Sequence, residues 1–248
     1  MRTREFAAGA IVLLLALMQL NAGPLVRPDP GSSCAAPEYE PRRMPERLKP
    51  VVVPHPKSMV VQRDQILATA YYDTMSILSR SNSCSDFFGG SEASVNVFSE
   101  FMASVKRSRL PSGIGVRMSG DYMNVLNAQT QLKYRLFETT SINTAGPFYL
   151  QKTFFSGARI FGIGSFPPNS REARVLMLLH ELGHLMRGAD GKWLLPDDGH
   201  SLEDSINNTR RVESVCGDQI RDTTRVPDSV RLNSAEQTVS PAAATSSH

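Results

Sequence analysis

The stretch VLMLLHELGHLM, residues 175–186, constrains the fold of this chain more than any other. It is almost continuously apolar, and a helix of this composition has to be buried against the rest of a domain. It nevertheless carries His180, Glu181 and His184. Burial of polar side chains without partners is costly, so these three groups either face water or bind something.

Signals at both ends define this helix. Asn169 in PPNSRE can act as its N-cap, and Glu172 three residues later completes a capping box. Gly188 and Gly191 follow the apolar run, and glycine commonly ends a helix. The sequence therefore predicts a helix that starts after Asn169 and runs to about Arg187.

His180 and His184 are four residues apart, so a helix places them on one face, one turn apart. Both imidazoles can then reach one ion without a bend in the backbone. Glu181 is rotated by about 100° from His180, so it cannot readily ligate the same ion but can hold a water bound to it. This is the H-E-x-x-H arrangement, in which two histidines bind Zn²⁺ and the glutamate is a general base. The alternative is a partly exposed helix face with two incidental histidines.

HELGH at the end of an apolar helix, after a small sheet, resembles the zincin metallopeptidases. The resemblance implies that His180 and His184 are zinc ligands and that Glu181 activates the zinc-bound water. It also implies that ARIFGIGSF, residues 158–166, is a sheet-edge strand that pairs with extended substrate. Arg187 stands where metzincins have a glycine. The sequence around the later glutamate ligand of gluzincins is also absent here, so the resemblance does not identify a subfamily.

A third protein ligand has to come from the chain after the helix, because catalytic zinc sites commonly combine three protein ligands with one water. LLPDDGH is a rigid acidic turn there, fixed by its proline and glycine. We therefore predict that Asp198 is the third ligand. The spacing leaves open the alternatives His200, Asp197, Asp190, Glu203, Asp204 and Glu213.

The rest of the chain predicts an α+β fold, with a small mostly antiparallel sheet packed against the HExxH helix and further helices. Residues 63–80 have the apolar stripe of a helix, and the turn SNSCSDFFGG separates them from a second helix that starts at Ser91. KRSR closes this second helix with positive charge. A last helix is expected from Leu202 to Ile220.

Between these helices the spacing of apolar residues changes to that of strands. Three or four strands are expected, drawn from the segments GIGVRMSG, KYRLFETT, PFYLQK and ARIFGIGSF. The predicted order is therefore two helices, a sheet, the HExxH helix, a loop and a final helix.

The N-terminus resembles a targeting signal. Arg2 and Arg4 precede an apolar run at 7–20 that is shorter than a membrane span prefers, which is typical of a secretory signal peptide. The protein is then secreted, periplasmic or extracellular, and it is membrane-anchored if the segment is not cleaved. We divide the chain into a signal peptide or anchor (1–22), a Pro-rich linker (23–57), a zincin-like metallopeptidase domain (58–221) and a disordered tail (222–248).

Three cysteines, Cys34, Cys84 and Cys216, allow one disulfide and one free thiol. Export would place them in an oxidising compartment. Cys34 lies in the linker, whereas the other two lie in ordered-looking sequence, so Cys84–Cys216 is the predicted pair. The alternative is two unpaired buried thiols.

The net charge of +3 is mild, and no basic block with interleaved aromatic residues occurs, so nucleic-acid binding is not indicated.

The expected function is an exported zinc metallopeptidase that hydrolyses peptide bonds of a peptide or protein substrate, with Zn²⁺ as cofactor. The alternative is a non-catalytic secreted or membrane-anchored metal-binding or interaction domain. Tyr149 and Arg210 or Arg211 are candidates for stabilising an oxyanion, although each is more often structural.

Overall fold

The fold is α+β. Along the described chain, four helices come first, the three strands of a small sheet follow, and two further helices come last. The computed structural model describes residues 51–111, 113–127, 132–199 and 201–225. The elements are α1 (Met59–Arg63), α2 (Gln65–Leu78), α3 (Ser83–Phe87), α4 (Ser91–Ala103), β1 (Val105–Ser108), β2 (Val116–Leu126), β3 (Lys133–Asn143), α5 (Arg171–Leu185) and α6 (Leu202–Arg225).

The first helices follow the predicted pattern, with two local differences. The short helix α1, which was not predicted, precedes α2, and Asp64 separates the two because its carboxylate accepts a hydrogen bond from the Leu67 amide and caps α2. The segment expected to be a turn contains the short helix α3. Asn82 caps α3 in a reciprocal capping box with Ser85, which explains why a single helical turn forms there.

The sheet has the strand order β1-β3-β2 and is mixed rather than mostly antiparallel. β2 and β3 contain much of the predicted strands GIGVRMSG and KYRLFETT and pair antiparallel, but β1 pairs parallel to β3. β1 includes most of KRSR, which was predicted to close a helix. The buried Val105 pairs with Thr140 instead, so the chain leaves α4 directly into the sheet.

The segments PFYLQK and ARIFGIGSF are not strands of this sheet, so the predicted substrate-pairing edge strand at 158–166 is wrong. The second segment folds back on itself through a bridge between Ile163 and Phe166. Gly164 adopts a left-handed conformation with φ +58°, which turns the chain at this point.

Helix α5 lies in the centre of the hydrophobic core, as its composition predicted. Eleven of its fifteen residues are buried, and the helix packs against α2, α4, α6 and the sheet. Enclosure on several sides explains why the helix is apolar around most of its circumference. Any polar group on this helix is therefore held in a fixed protein environment.

The disulfide Cys84–Cys216 is present, and the predicted pairing is confirmed. The two Cα atoms are 4.6 Å apart, and the bond joins α3 to α6 across 132 residues of sequence. Ser83 adds a hydrogen bond from its hydroxyl to the main-chain oxygen of Val215 beside the bond. The last described helix is thus fixed to the start of the domain.

The structure describes a few residues on each side of the predicted domain, 58–221. Helix α6 continues to Arg225, so 222–225 are helical rather than part of a disordered tail. The predicted signal segment, Cys34, most of the Pro-rich linker and the rest of the tail lie outside the described residues. Among the residues that are described, no helix has the length and apolar character needed to cross a membrane.

Candidate metal centre

The N-terminus of α5 is capped one residue later than predicted. The Ser170 hydroxyl, not the Asn169 side chain, accepts the hydrogen bond from the Ala173 amide. Asn169 instead adopts a left-handed conformation with φ 62° and accepts hydrogen bonds from Arg174. The capping-box prediction was therefore wrong in its residues, although the helix begins where expected; it ends at Leu185, before Arg187.

The structure brings His180, His184 and Asp198 together. The two Nε2 atoms of the histidines are 3.0 Å apart. One carboxylate oxygen of Asp198 lies 3.3 Å from Nε2 of His180, and the other lies 3.7 Å from Nε2 of His184. Within the described part of the chain, this is the set of three side chains whose donor atoms could surround one metal ion, with all of them inside 4.8 Å of one another.

The geometry of this cluster fits a zinc ion. Zn²⁺ with ligand bonds of about 2.0–2.1 Å in tetrahedral arrangement separates its ligand atoms by about 3.3 Å. The three distances of 3.0, 3.3 and 3.7 Å lie around this value. Two imidazoles and one carboxylate are also donors that zinc commonly takes in catalytic sites. The residues present therefore suit the cofactor that the sequence predicted.

The other carboxylates considered as ligands are engaged elsewhere or exposed. Asp190 accepts a hydrogen bond from the Lys192 amide, and Glu213 accepts hydrogen bonds from Ser165. Glu203 and Asp204 are exposed on the first turn of α6. Asp197 is bound by Arg135, and His200 lies outside the described residues.

Gly183, in the middle of HELGH, allows the turn that carries Asp198 to return close to the helix. The Leu195 amide donates to the Gly183 carbonyl at 3.1 Å. A Cβ atom added to Gly183 would lie 2.6 Å from Cδ1 and 2.7 Å from Cγ of the fully buried Leu195. The absence of a side chain at this position is thus what allows this close packing.

Arg135 on β3 holds the same turn from the other side. Its guanidinium donates to the main-chain oxygen of His184 at 2.7 Å and to both carboxylate oxygens of Asp197. The Trp193 ring lies 4.3 Å from the guanidinium carbon, and the Arg135 side chain is only 2% exposed. Because Asp197 precedes Asp198, this contact fixes the carboxylate of the cluster relative to the helix.

Helix α6 supports the cluster as well. The Thr209 hydroxyl lies 3.0 Å from Nδ1 of His180, so it can fix the orientation of that ring. The buried Asn208 donates from its amide to the Pro196 carbonyl at 2.9 Å, next to the acidic turn. Among the described residues, Nδ1 of His184 has no such hydrogen-bond partner.

Charge and burial determine the protonation of the cluster. Burial alone would raise the pKa of Asp198, but its contacts with His180 and His184 hold that pKa well below its usual range. Burial lowers the pKa of His184, yet the neighbouring carboxylates of Asp198 and Glu181 more than offset this and raise it. Asp198 is therefore a carboxylate at neutral pH, which is the form that binds cations.

Glu181 lies beside the cluster without joining it. Burial raises the pKa of its carboxyl group, against the opposing effect of the two histidines. No side chain of the described residues hydrogen-bonds to its oxygens, and the residue remains partly exposed. A partly exposed carboxylate beside the cluster can accept a proton from a water there.

The candidate oxyanion groups do not join the cluster. The Tyr149 hydroxyl donates to the Asp64 carboxylate at 2.7 Å, and burial raises the pKa of this phenol well above its usual range. Arg211 lies over the Phe87 ring, and Arg210 is exposed on α6. Tyr149 in particular is used in a structural contact.

No family model, curated protein or solved structure matches this chain. The residues of the site are therefore argued from their own geometry. Arg135, Thr209 and Gly183 were not identified as site residues from the sequence. The glycine inside HELGH was the one available signal, since a glycine within a helix indicates close packing.

Proposed function

We propose that this chain is an exported zinc metallopeptidase of zincin type. The observation that carries the proposal is the convergence of His180, His184 and Asp198 at distances suited to one tetrahedral ion. Glu181 lies on the same helix but outside this donor set. Two histidines, a carboxylate and a separate glutamate are the groups that zinc-dependent peptide hydrolysis requires.

In this function His180, His184 and Asp198 hold the ion. A bound zinc would polarise the scissile carbonyl and lower the pKa of water toward about 7. Glu181 takes the proton from the attacking water and later transfers it to the leaving amine. Arg135, Asp197 and Thr209 act by keeping the donor atoms in place.

One observation favours the alternative, a non-catalytic domain that binds the metal for structure or interaction. Residues 158–166 form a local turn, not the sheet-edge strand that the zincin resemblance implied. A peptidase would then have to bind its substrate through a different surface. The position of Glu181 favours catalysis, because this partly exposed carboxylate lies on the same helix as two of the donors but outside the donor set, where it can act on a bound water.

The Glu181→Gln variant separates these two functions. We expect it to keep zinc and stability but to lose hydrolysis of an unfolded casein-like substrate by about 10²–10⁴-fold, the usual contribution of a general base. Glu203→Gln, at an exposed glutamate of α6, is the matched control and should retain full activity. Equal digestion by wild type and Glu181→Gln would refute the assigned base. Zinc-loaded wild type that digests neither unfolded proteins nor a diverse peptide library would instead support the non-catalytic domain.

A further inference from the structure

Residues 151–160 form a small hairpin, which we call the aromatic hairpin. Lys152 and Arg159 form an antiparallel bridge, and the Thr153 amide donates to the Ala158 carbonyl at 2.8 Å. Gly157 turns the chain with φ +65°, and its amide donates to the Thr153 carbonyl at 3.1 Å. These bonds close a defined turn, so the residues at its tip are presented by ordered backbone.

The tip of the aromatic hairpin consists of Phe154 and Phe155, which are 78% and 87% exposed. Phe161, just beyond the hairpin, is 88% exposed. Single exposed apolar residues are ordinary, but three nearly bare phenylalanines within eight residues indicate a binding surface. The hairpin is anchored to the domain by the buried Ile160, whose amide donates to the Gln151 carbonyl.

Positive charge surrounds this aromatic tip. The Arg109 guanidinium carbon lies 5.9 Å from the Phe154 ring centroid and 5.1 Å from the Phe155 ring centroid. Lys152 and Arg159 are exposed, and none of these three cations forms an ion pair with the described residues. The sequence contributes no acidic residue at 101–120 or at 139–171, the two segments that supply the hairpin and its surroundings.

We propose that the aromatic hairpin docks on a bilayer that contains anionic phospholipid, with Phe154 and Phe155 inserted below the headgroups. Lys152 stands two residues before Phe154, which is about 7 Å along a strand, and Arg159 lies opposite Lys152 in the antiparallel bridge. Interfacial protein segments bury their apolar side chains by about 5–10 Å, so these cations would lie at the level of the lipid phosphates. A protruding tip of two rings suits a deformable surface better than the concave pocket of a protein partner.

The test is a pair of variants of the full chain that each add a tryptophan. Phe155→Trp places the indole at the tip, and Leu202→Trp places it at a control position on α6 that is 73% exposed. Trp193 is the single tryptophan of the chain, so it adds the same background fluorescence to both variants. With vesicles of phosphatidylcholine and phosphatidylglycerol that contain nitroxide-labelled lipid, we expect quenching and a blue shift for Phe155→Trp and neither for Leu202→Trp.

The charge contribution is tested in the Phe155→Trp background. Lys152→Gln and Arg159→Gln should each raise the lipid concentration at half-maximal quenching by about fivefold, since a cation near an anionic surface contributes roughly that much. Arg225→Gln, at an exposed arginine that pairs with Asp222, is the matched control and should have no effect. Vesicles of pure phosphatidylcholine should give much weaker quenching.

Two results would overturn the proposal. The first is quenching of the Phe155→Trp variant that does not exceed that of Leu202→Trp, or that is equal on neutral and anionic vesicles. The second is a blue shift of Phe155→Trp that rises with protein concentration without lipid, because the hairpin would then bind a second copy of the chain.

Discussion

The Nε of Arg135 lies 2.7 Å from the main-chain oxygen of His184, and the same guanidinium binds the carboxylate of Asp197. A helix leaves its last carbonyl groups without intrahelical partners, so a buried arginine at this point satisfies one of them. The contact also joins the helix that carries two donor atoms of the cluster to the turn that carries the third. Sheet, helix and turn therefore meet at one side chain.

Loss of this contact should loosen the proposed metal centre without removing a proposed ligand. Asp197 is exposed enough that Asp197→Asn should leave the fold intact, yet the amide cannot match a carboxylate as an acceptor for Arg135. We expect zinc affinity to fall by about 10–100-fold, as is usual for groups that orient ligands. Competition with a chromophoric chelator measures this.

Asp190→Asn is the control for that measurement. Asp190 lies in the same loop, but among the described residues its carboxylate accepts a hydrogen bond from the Lys192 amide alone. Unchanged zinc affinity in Asp197→Asn, or an equal loss in both variants, would show that Arg135 does not position the turn.

Removal of any donor should remove the metal. The purified protein is expected to hold about one zinc per chain, which a chelator extracts, and His184→Ala or Asp198→Ala should abolish stoichiometric binding. His55→Ala changes a histidine outside the cluster and should retain the metal. Elemental analysis after gel filtration is the measurement. Full zinc content in Asp198→Ala would exclude Asp198 as the third ligand.

A methyl group at Gly183 should disturb the turn. The added Cβ would meet Leu195 at 2.6–2.7 Å, so we expect Gly183→Ala to lower the free energy of unfolding by about 1–3 kcal/mol, the usual cost of overpacking. Zinc affinity should fall with it. In α6, a Cβ added to Gly217 would lie 3.2 Å from the Arg221 guanidinium and 3.6 Å from Cγ of Glu213, so Gly217→Ala should be neutral or stabilise by up to about 1 kcal/mol. Denaturant titrations of both variants compare these values, and an unaffected Gly183→Ala would contradict the close packing.

The disulfide should stabilise both the domain and its metal centre. Cys84→Ala combined with Cys216→Ala is expected to lower the free energy of unfolding by about 2–4 kcal/mol. Zinc affinity should also fall, because the bond fixes α6, which carries Thr209. Cys34→Ser is the control and should change neither quantity. Alkylation of the unreduced protein followed by mass spectrometry should find Cys84 and Cys216 unmodified. Alkylation of either cysteine would show that the bond is not formed.

The site residues that the sequence predicted lie close to one another along the chain. His180, Glu181 and His184 share one helical turn, so their spacing alone places them on one helix. Asp198 was predictable because Pro196 and Gly199 mark a tight turn close after that helix. The N-cap was assigned to the wrong one of two adjacent capping residues, Asn169 and Ser170, since both side chains can do the same chemistry.

The parts that the sequence did not predict depend on distant segments. Arg135 is 49 residues from His184, and Thr209 is 29 residues from His180, so no periodicity connects them. Strand β1 was missed because Lys106 and Arg107 resemble a charged helix end, whereas its pairing with β3 comes from the tertiary structure. Residues 158–166 have strand composition but fold on themselves, because local glycines decide their conformation.

Helix α6 has a consequence for the order in which the centre can be completed. It supplies Thr209 behind His180 and Asn208 behind the acidic turn, and it is the last of the described elements along the chain. During synthesis His180, His184 and Asp198 all leave the ribosome before this helix does. A nascent chain therefore has these three side chains before it has the support that orients them, and the cluster is fully supported only after α6 docks.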